Sequence, residues 1–210
     1  MNKNEKFVIT INREVGSGGR TVGSLLARRL HVPYYDKALI QALMEKYKLP
    51  IEEIEQMKAS SLSWWDEFKR RLNLVKNAKM YINRVGDEPE MLTTEDIFMA
   101  EKDILNTMAT EESCVIAGRS GFFVLKNQPN HLNILIQASM PYRVERLMRK
   151  RNISEKEALK VIKKVDKMRE KYVKNFGHTS RYDARNYDLV ITMDGKKEKE
   201  VVDLIMKYIG

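Results

Sequence analysis

A chain of 210 residues with 43% hydrophobic and 8% aromatic residues has room for one domain with a substantial core, and its composition excludes the disordered and fibrous classes. The single cysteine, Cys114 in the apolar run Cys114-Val115-Ile116-Ala117, excludes an internal disulfide and a cysteine cluster for zinc, and it reads as a buried small hydrophobe. The net charge of +9 is concentrated: residues 143–174 hold 13 Lys or Arg against 5 Asp or Glu, and the remainder is nearly balanced at 25 against 24. No apolar segment has the length of a signal-peptide core or a membrane span, so a cytoplasmic location is expected.

In chain order, strand-length apolar runs occur at Phe7 to Ile11, Val32 to Tyr35, Cys114 to Ala117, Leu132 to Ile136 and Leu189 to Met193. Helical patterns separate them, which predicts an α/β fold with a five-stranded parallel sheet. The runs are apolar throughout, as strands covered on both faces require. The interval from Lys37 to Glu112 contains no convincing strand and is expected to be helical. Asp36 can cap a helix through Tyr47, Pro50 starts a short one, and Trp64 to Asn83 carries apolar residues at helical spacing. Thr93 or Thr94 then caps a helix to about Thr110. Trp64 and Trp65 are adjacent, so on a helix they do not share a face, and core packing explains them better than base stacking.

After the fourth run, Pro141 opens a helix and Ser154-Glu155-Lys156-Glu157 forms a capping box for the next. Ala158, Ile162, Val165, Met168, Tyr172 and Phe176 are expected to make its apolar face. Lys156, Lys160, Lys163, Lys167, Lys171 and Lys174 make a basic stripe that is either a solvated face or a basic cover over a phosphate site. The expected organisation is one domain over 1–210, with a helical insertion at about 37–112 and a lid at about 141–185.

The stretch Val15-Gly16-Ser17-Gly18-Gly19-Arg20-Thr21 lies between the first run and the first helix, where a phosphate-binding loop sits. Its glycines permit a tight turn with N–H groups directed inward, and the helix N-terminus adds attraction for an anion. The spacing G-x-x-x-x-G-K-[ST] is nearly met, with Arg20 in the lysine position and Glu14 in that of the first glycine. Gly16, Ser17, Gly18, Gly19, Arg20 and Thr21 are therefore the candidate phosphate-binding residues, and the Thr21 hydroxyl is a candidate ligand for Mg²⁺.

Ligands of a parallel sheet collect at the carboxyl ends of its strands, which adds Asp36-Lys37, Gly118-Arg119-Ser120, Ser139 and Asp194. This combination suits phosphoryl transfer, which asks chiefly for positioning and neutralised charge. Arg20, always charged and forked, can pair with terminal phosphate oxygens. Asp36 can hold a metal-bound water, accept a proton or cap the helix after it. Arg119 is the best acceptor-binding candidate, because Gly118 lets the backbone approach closely and the guanidinium can grip a phosphate in bidentate fashion; the alternative is a salt bridge at a helix start. Asp166 and Arg169, three apart, can pair with each other or present Arg169 to phosphate; Arg181 and Arg185 can also reach the site.

Together these residues resemble the cytidylate kinase-like family of P-loop nucleoside monophosphate kinases. The resemblance is carried by residues 9–20, by Pro33-Tyr34-Tyr35-Asp36-Lys37-Ala38-Leu39-Ile40, by Val115-Ile116-Ala117-Gly118-Arg119, and by Asn186-Tyr187-Asp188-Leu189-Val190-Ile191. It implies a P-loop fold of strand order 2-3-1-4-5 with ATP phosphates on Gly16 to Thr21; the residues' own chemistry makes Thr21 and Asp36 the Mg²⁺ candidates. It also implies an acceptor region built on Asp36 and the helices after it, and a lid between strands four and five; the substrate-binding candidates are Asp36, Lys37, Arg119, Ser120 and Arg169. In this family arginine in the lysine position is normal. Cytidylate kinases carry aspartates where this chain has Ala117 and Ser120, and their D-x-x-R lid pattern maps onto Asp166 and Arg169, with Arg149 and Arg151 as weaker matches.

The leading expectation is an ATP- and Mg²⁺-dependent phosphotransferase with Arg20, Asp36 and Arg169 as catalytic residues, acting on a nucleoside monophosphate or another small acceptor. The alternatives are a non-catalytic nucleotide-binding regulatory protein and, third, a nucleic-acid-binding protein using the basic lid. The basic face lacks interleaved aromatic residues, so nucleic acid is not the expected partner. No membrane association is expected, and a homodimer through the helical insertion is compatible with the sequence.

Overall fold

The computed structural model describes residues 1–36, 94–118 and 120–210. The chain divides into two compact units, one formed by Met1–Asp36 with Met108–Gly210 and the other by Lys37–Thr107. Expectations for the helices between Asp36 and Asn83, for Trp64 and Trp65, for Lys37 and Arg119, and for a dimer through the insertion lie outside the described residues.

The first unit is built on five parallel strands: β1 (Val8–Arg13), β2 (Tyr34–Asp36), β3 (Cys114–Ala117), β4 (His131–Gln137) and β5 (Leu189–Thr192). Their order is β2-β3-β1-β4-β5, so β1 lies at the centre. Ile11 is in register with Ala117 on one side and Ile134 on the other. The described helices are α1 (Gly19–Leu30), α2 (Thr94–Glu111), α3 (Gly121–Val124), α4 (Met140–Arg151), α5 (Glu155–Gly177) and α6 (Glu198–Ile209), with a 3₁₀ turn at Ala184–Asn186. Ile9, Ile11 and Ile136 of the sheet pack with Val22 and Leu26 of α1 and Ile205 of α6 in the main core. Among the described residues no helix is long and apolar enough to cross a membrane.

Three expectations need correction, each for a physical reason. Val32 lies outside β2, because α1 ends on His31 at φ 56° and the Val32 N–H turns back to the Ala27 carbonyl at 3.0 Å. At the edge of the sheet, β5 is covered on one face only, and Val190 is 39% exposed despite its apolar run. On α5, Met168 does not belong to the buried stripe and is 46% exposed. The stripe is instead Ala158, Ile162, Asp166 and Val173, at helical spacing, with a carboxylate in its middle.

The helix starts follow the sequence closely. Ser139 caps α4, with Pro141 in the first turn, and the Ser154–Glu157 capping box opens α5 as its spacing predicts. All six lysines of the basic stripe are exposed.

Candidate functional site

β1 delivers the chain to the glycine loop at the carboxyl edge of the sheet, and α1 carries it away. Gly16 and Gly18 adopt φ of 83° and 90°, the left-handed region in which glycine is unstrained. A methyl group at Gly16 would lie 2.6 Å from the Arg143 carbonyl oxygen, so the loop also needs glycine for its close approach to α4. Ser17 is fully buried: its N–H and its hydroxyl both donate to the Glu14 carbonyl, at 3.3 and 3.0 Å, and its oxygen accepts from the Gly19 N–H at 3.4 Å. The Ser17 side chain thus stitches the loop together from inside. The concave face is left to backbone groups and to the first turn of α1.

Glu14, the departure from the usual phosphate-loop spacing, has a structural explanation. One carboxylate oxygen accepts from the Ala138 N–H at 3.1 Å, and the other pairs with Arg143 at 3.1 Å. The glutamate ties the loop to the end of β4 and to α4, a task that glycine cannot perform.

Arg143 belongs to a buried cluster under the loop. Its Nε donates to the Val15 carbonyl at 2.7 Å, and its Nη2 forms an ion pair with Asp166 of α5. Asp166 also accepts from the Val15 N–H at 3.2 Å and pairs with Arg181 at 3.3 Å. The side chains of Arg143, Asp166 and Arg181 are 5%, 10% and 1% exposed. Arg169 is 3.9 Å from Asp166, and its Nη1 donates to the Arg13 carbonyl at 3.0 Å. Asp166 therefore serves mainly Arg143 and Arg181, not the Arg169 named by the D-x-x-R spacing. Burial, aided by the charges of Arg13 and Arg181, pulls Arg169 down to about 9.

Further along the loop, Arg146 Nη2 lies 3.4 Å from Thr21 Oγ1 and 2.5 Å from Glu198. A β-carbon at Gly18 would meet its guanidinium carbon at 3.3 Å. Arg20 and Asp36 form a 2.7 Å ion pair, with Arg20 64% exposed and Asp36 nearly buried. The hydroxyl of Tyr34, whose phenol burial pushes up to about 12, donates to the Arg20 carbonyl at 3.1 Å. The loop, Arg20, Thr21, Asp36 and Arg169 of the sequence reading thus all stand at the carboxyl edge of one sheet.

Other candidates have different tasks. Ser139 and Asp194 bind one another, through the Ser139 N–H at 2.9 Å and its hydroxyl, and so secure the start of α4. Ser120 precedes α3 at φ 57° and makes no side-chain cap. Arg149 and Arg151 are exposed, and Arg185 pairs with Asp183 at the surface. Sequence reasoning missed Arg13, Arg143 and Arg146. Arg13 was within reach of the strand-end rule, because β1 runs two residues beyond its apolar stretch. Arg143 and Arg146, three apart on α4, gave no signal that distinguished them from Arg149 and Arg151.

A central parallel strand feeding a glycine loop, in a sheet of order 2-3-1-4-5 flanked by helices, defines the P-loop kinase fold. The chain is similar to the solved structure of a shikimate kinase from Bacteroides thetaiotaomicron, with TM-score 0.53, 13% identity and coverage of 98% and 99% of the two chains. It is also similar to an uncharacterised protein from Eubacterium ventriosum, with TM-score 0.71, 25% identity and coverage of 97% and 98%. The chain belongs to the cytidylate kinase-like family, whose model matches residues 8–195.

Among curated relatives, an S-adenosylmethionine-dependent nucleotide dehydratase of Lacinutrix mariniflava is 25% identical over 97% of this chain. The match spans only 36% of the dehydratase's length. A cytidylate kinase of Methanosarcina barkeri is 26% identical over 64% of this chain and 80% of its own.

Proposed function

We propose that this protein is an ATP-dependent phosphotransferase that passes the γ-phosphoryl group to a nucleoside monophosphate or another small acceptor. The observation that carries the reading is the convergence of a glycine loop with the guanidinium groups of Arg146, Arg20 and Arg169 at the carboxyl edge of one sheet. Phosphoryl transfer is accelerated mainly by positioning and by positive charge around the transferred group, and this arrangement supplies both. Both curated relatives named above, the nucleotide dehydratase and the cytidylate kinase, are described by nucleotide chemistry, which supports a nucleotide as the ligand class.

Gly16 to Thr21 would hold the donor phosphates through backbone N–H groups, with Arg20 and Arg169 meeting the charge that develops on the γ-phosphoryl oxygens. Thr21 and Asp36 would hold Mg²⁺. Among the described residues no group of three His, Cys, Asp or Glu could hold a metal by itself. The two oxygen ligands suit an ion that keeps its waters and binds phosphate oxygens. When bound, Mg²⁺ neutralises part of the phosphate charge. The 2.7 Å ion pair between Arg20 and Asp36 supports a role in which the two steady each other between the donor and acceptor groups.

The test is ADP release by purified protein with ATP and Mg²⁺ against CMP, UMP, AMP, GMP and hydroxylated small metabolites. Acceptor-dependent ADP release is expected, and Thr21→Ala should lower turnover at least about tenfold. The rival reading, a regulatory nucleotide-binding protein, rests on Ala117 standing where cytidylate kinases carry aspartate. It requires ATP binding with no acceptor-dependent ADP anywhere in the panel, a result that would overturn the transferase reading.

A further inference from the structure

Helix α5 turns one stripe to the core and the opposite one to water. Ala158, Ile162 and Val173 are buried, and Asp166 of the same stripe accepts from the Val15 N–H of the glycine loop. At about 100° per residue, Lys160, Lys164 and Lys171 stand about 120–160° round the helix from Asp166. The exposed face therefore points away from the loop. Lys164 joins the six stripe lysines there, so seven cations line one face from Lys156 to Lys174. Over that span the face runs about 27 Å.

A face that only has to stay solvated needs no single sign of charge. On α6 the exposed residues Lys199, Glu200, Asp203 and Lys207 mix signs, and Asp203 lies 3.8 Å from Arg29. On α5 the sign is single. Among the described residues the one carboxylate paired with a lysine of this face is Glu170, 3.4 Å from Lys174. Glu157, at the edge of the face, is taken by the capping box, its Oε2 accepting from the Ser154 N–H at 2.9 Å and from the Ser154 hydroxyl at 2.7 Å. Lys156 with Lys160, Lys160 with Lys164, Lys163 with Lys167 and Lys167 with Lys171 all stand at i and i+4, a spacing at which like charges repel. A polyanion laid along the helix removes that repulsion and releases its own counterions.

Three features select the polyanion. The lysine face carries no aromatic residue, which weighs against single strands, whose bases stack on such side chains. The apolar stripe of α5 is buried in the fold, so it has nothing to insert into lipid as a membrane-surface helix does. The major groove of B-DNA is about 12 Å wide and admits a helix, whereas side chains cannot read that of A-form RNA, which is deep and narrow. We propose that the lysine face of α5 binds the phosphate backbone of double-stranded DNA. Lysine offers a point charge, and between Lys156 and Lys171 the face has no amide or guanidinium to read a base edge, so this binding is independent of sequence.

Fluorescence anisotropy of labelled duplexes of about 20 base pairs, titrated with the full chain at about 50–200 mM salt, tests the assignment. Two duplexes of unrelated sequence should bind equally within about twofold, and log K should fall against log salt with a slope of about −4.5 to −6, as five to seven neutralised phosphates require. Lys160→Gln, Lys164→Gln and Lys171→Gln together should weaken binding about 30-fold or more at about 50 mM salt and make the slope shallower by about 3; each alone should change the slope by about 1. The same charge removed elsewhere, by Lys3→Gln, Lys199→Gln and Lys207→Gln together, should change affinity less than about threefold. All six lysines are exposed, so both triple variants should keep the circular dichroism of wild type. Equal losses in the two triple variants, an unchanged slope, a sequence preference above about tenfold, tighter binding of single-stranded DNA, duplex RNA or phosphatidylserine vesicles, or no duplex bound at about 100 μM protein and 50 mM salt would each overturn the proposal.

Discussion

Replacing Asp166 with alanine tests whether the loop is held from beneath by buried ion pairs. The carboxylate accepts from the Val15 N–H at 3.2 Å and pairs with Arg143 and with Arg181, both almost without solvent. Breaking a buried pair by removing one partner costs about 3–5 kcal/mol, because a charge is left uncompensated. Here the loss is softened: Arg143 keeps Glu14 at 3.1 Å, and Arg181 keeps Asn12 Oδ1 at 3.2 Å and the Arg13 carbonyl. The Val15 N–H loses its partner, at about 1–3 kcal/mol, but the two terms overlap. We therefore expect about 3–4 kcal/mol for Asp166→Ala, and less for Asp166→Asn, which keeps an acceptor for Val15. Urea denaturation followed by circular dichroism should show this as a lower midpoint at unchanged slope. In a chain of this size it amounts to a fall in Tm of about 6–16 °C. A loss below about 1 kcal/mol would show that the arginines are satisfied without Asp166, and the account of the cluster would be wrong.

Glu14→Gly, which restores the usual phosphate-loop residue, should destabilise the protein by about 2–3 kcal/mol, since the Ala138 N–H and Arg143 each lose a partner; a thermal melt that matches wild type would refute this. Burial pushes the Cys114 thiol up from 9.0 to about 12. Because the folded pKa is the higher one, its stabilising share is complete below pH 9 and is lost as pH rises towards 12. The stability difference between wild type and Cys114→Val should accordingly narrow over that interval, and a pH-independent difference would count against the assignment.

Much of the frame was legible because it rests on local rules. Alternating apolar runs and helical patterns define a parallel α/β sheet, and the glycines of residues 16–19 announce a turn with positive φ at Gly16 and Gly18. The Ser154 capping box is a four-residue code, and it opens α5 where the code says. Strand limits were less legible, since Arg13 and Asp36 join the ladder through backbone groups that polarity does not mark.

The sequence by itself determined that a glycine loop follows the first strand, that Asp36 stands at a neighbouring strand end, and that positive charge gathers after residue 143. Which cations turn inward was decided by tertiary structure alone. Periodicity states which residues share a helical stripe but not which stripe meets the loop. Arg143, Arg146 and Arg181 are buried, while the stripe lysines, Arg149 and Arg151 face water. Planar guanidinium groups can satisfy carboxylates and carbonyls from several elements at once, and only the assembled sheet brings Asn12, Arg13, Val15, Asp166 and Arg181 within that reach.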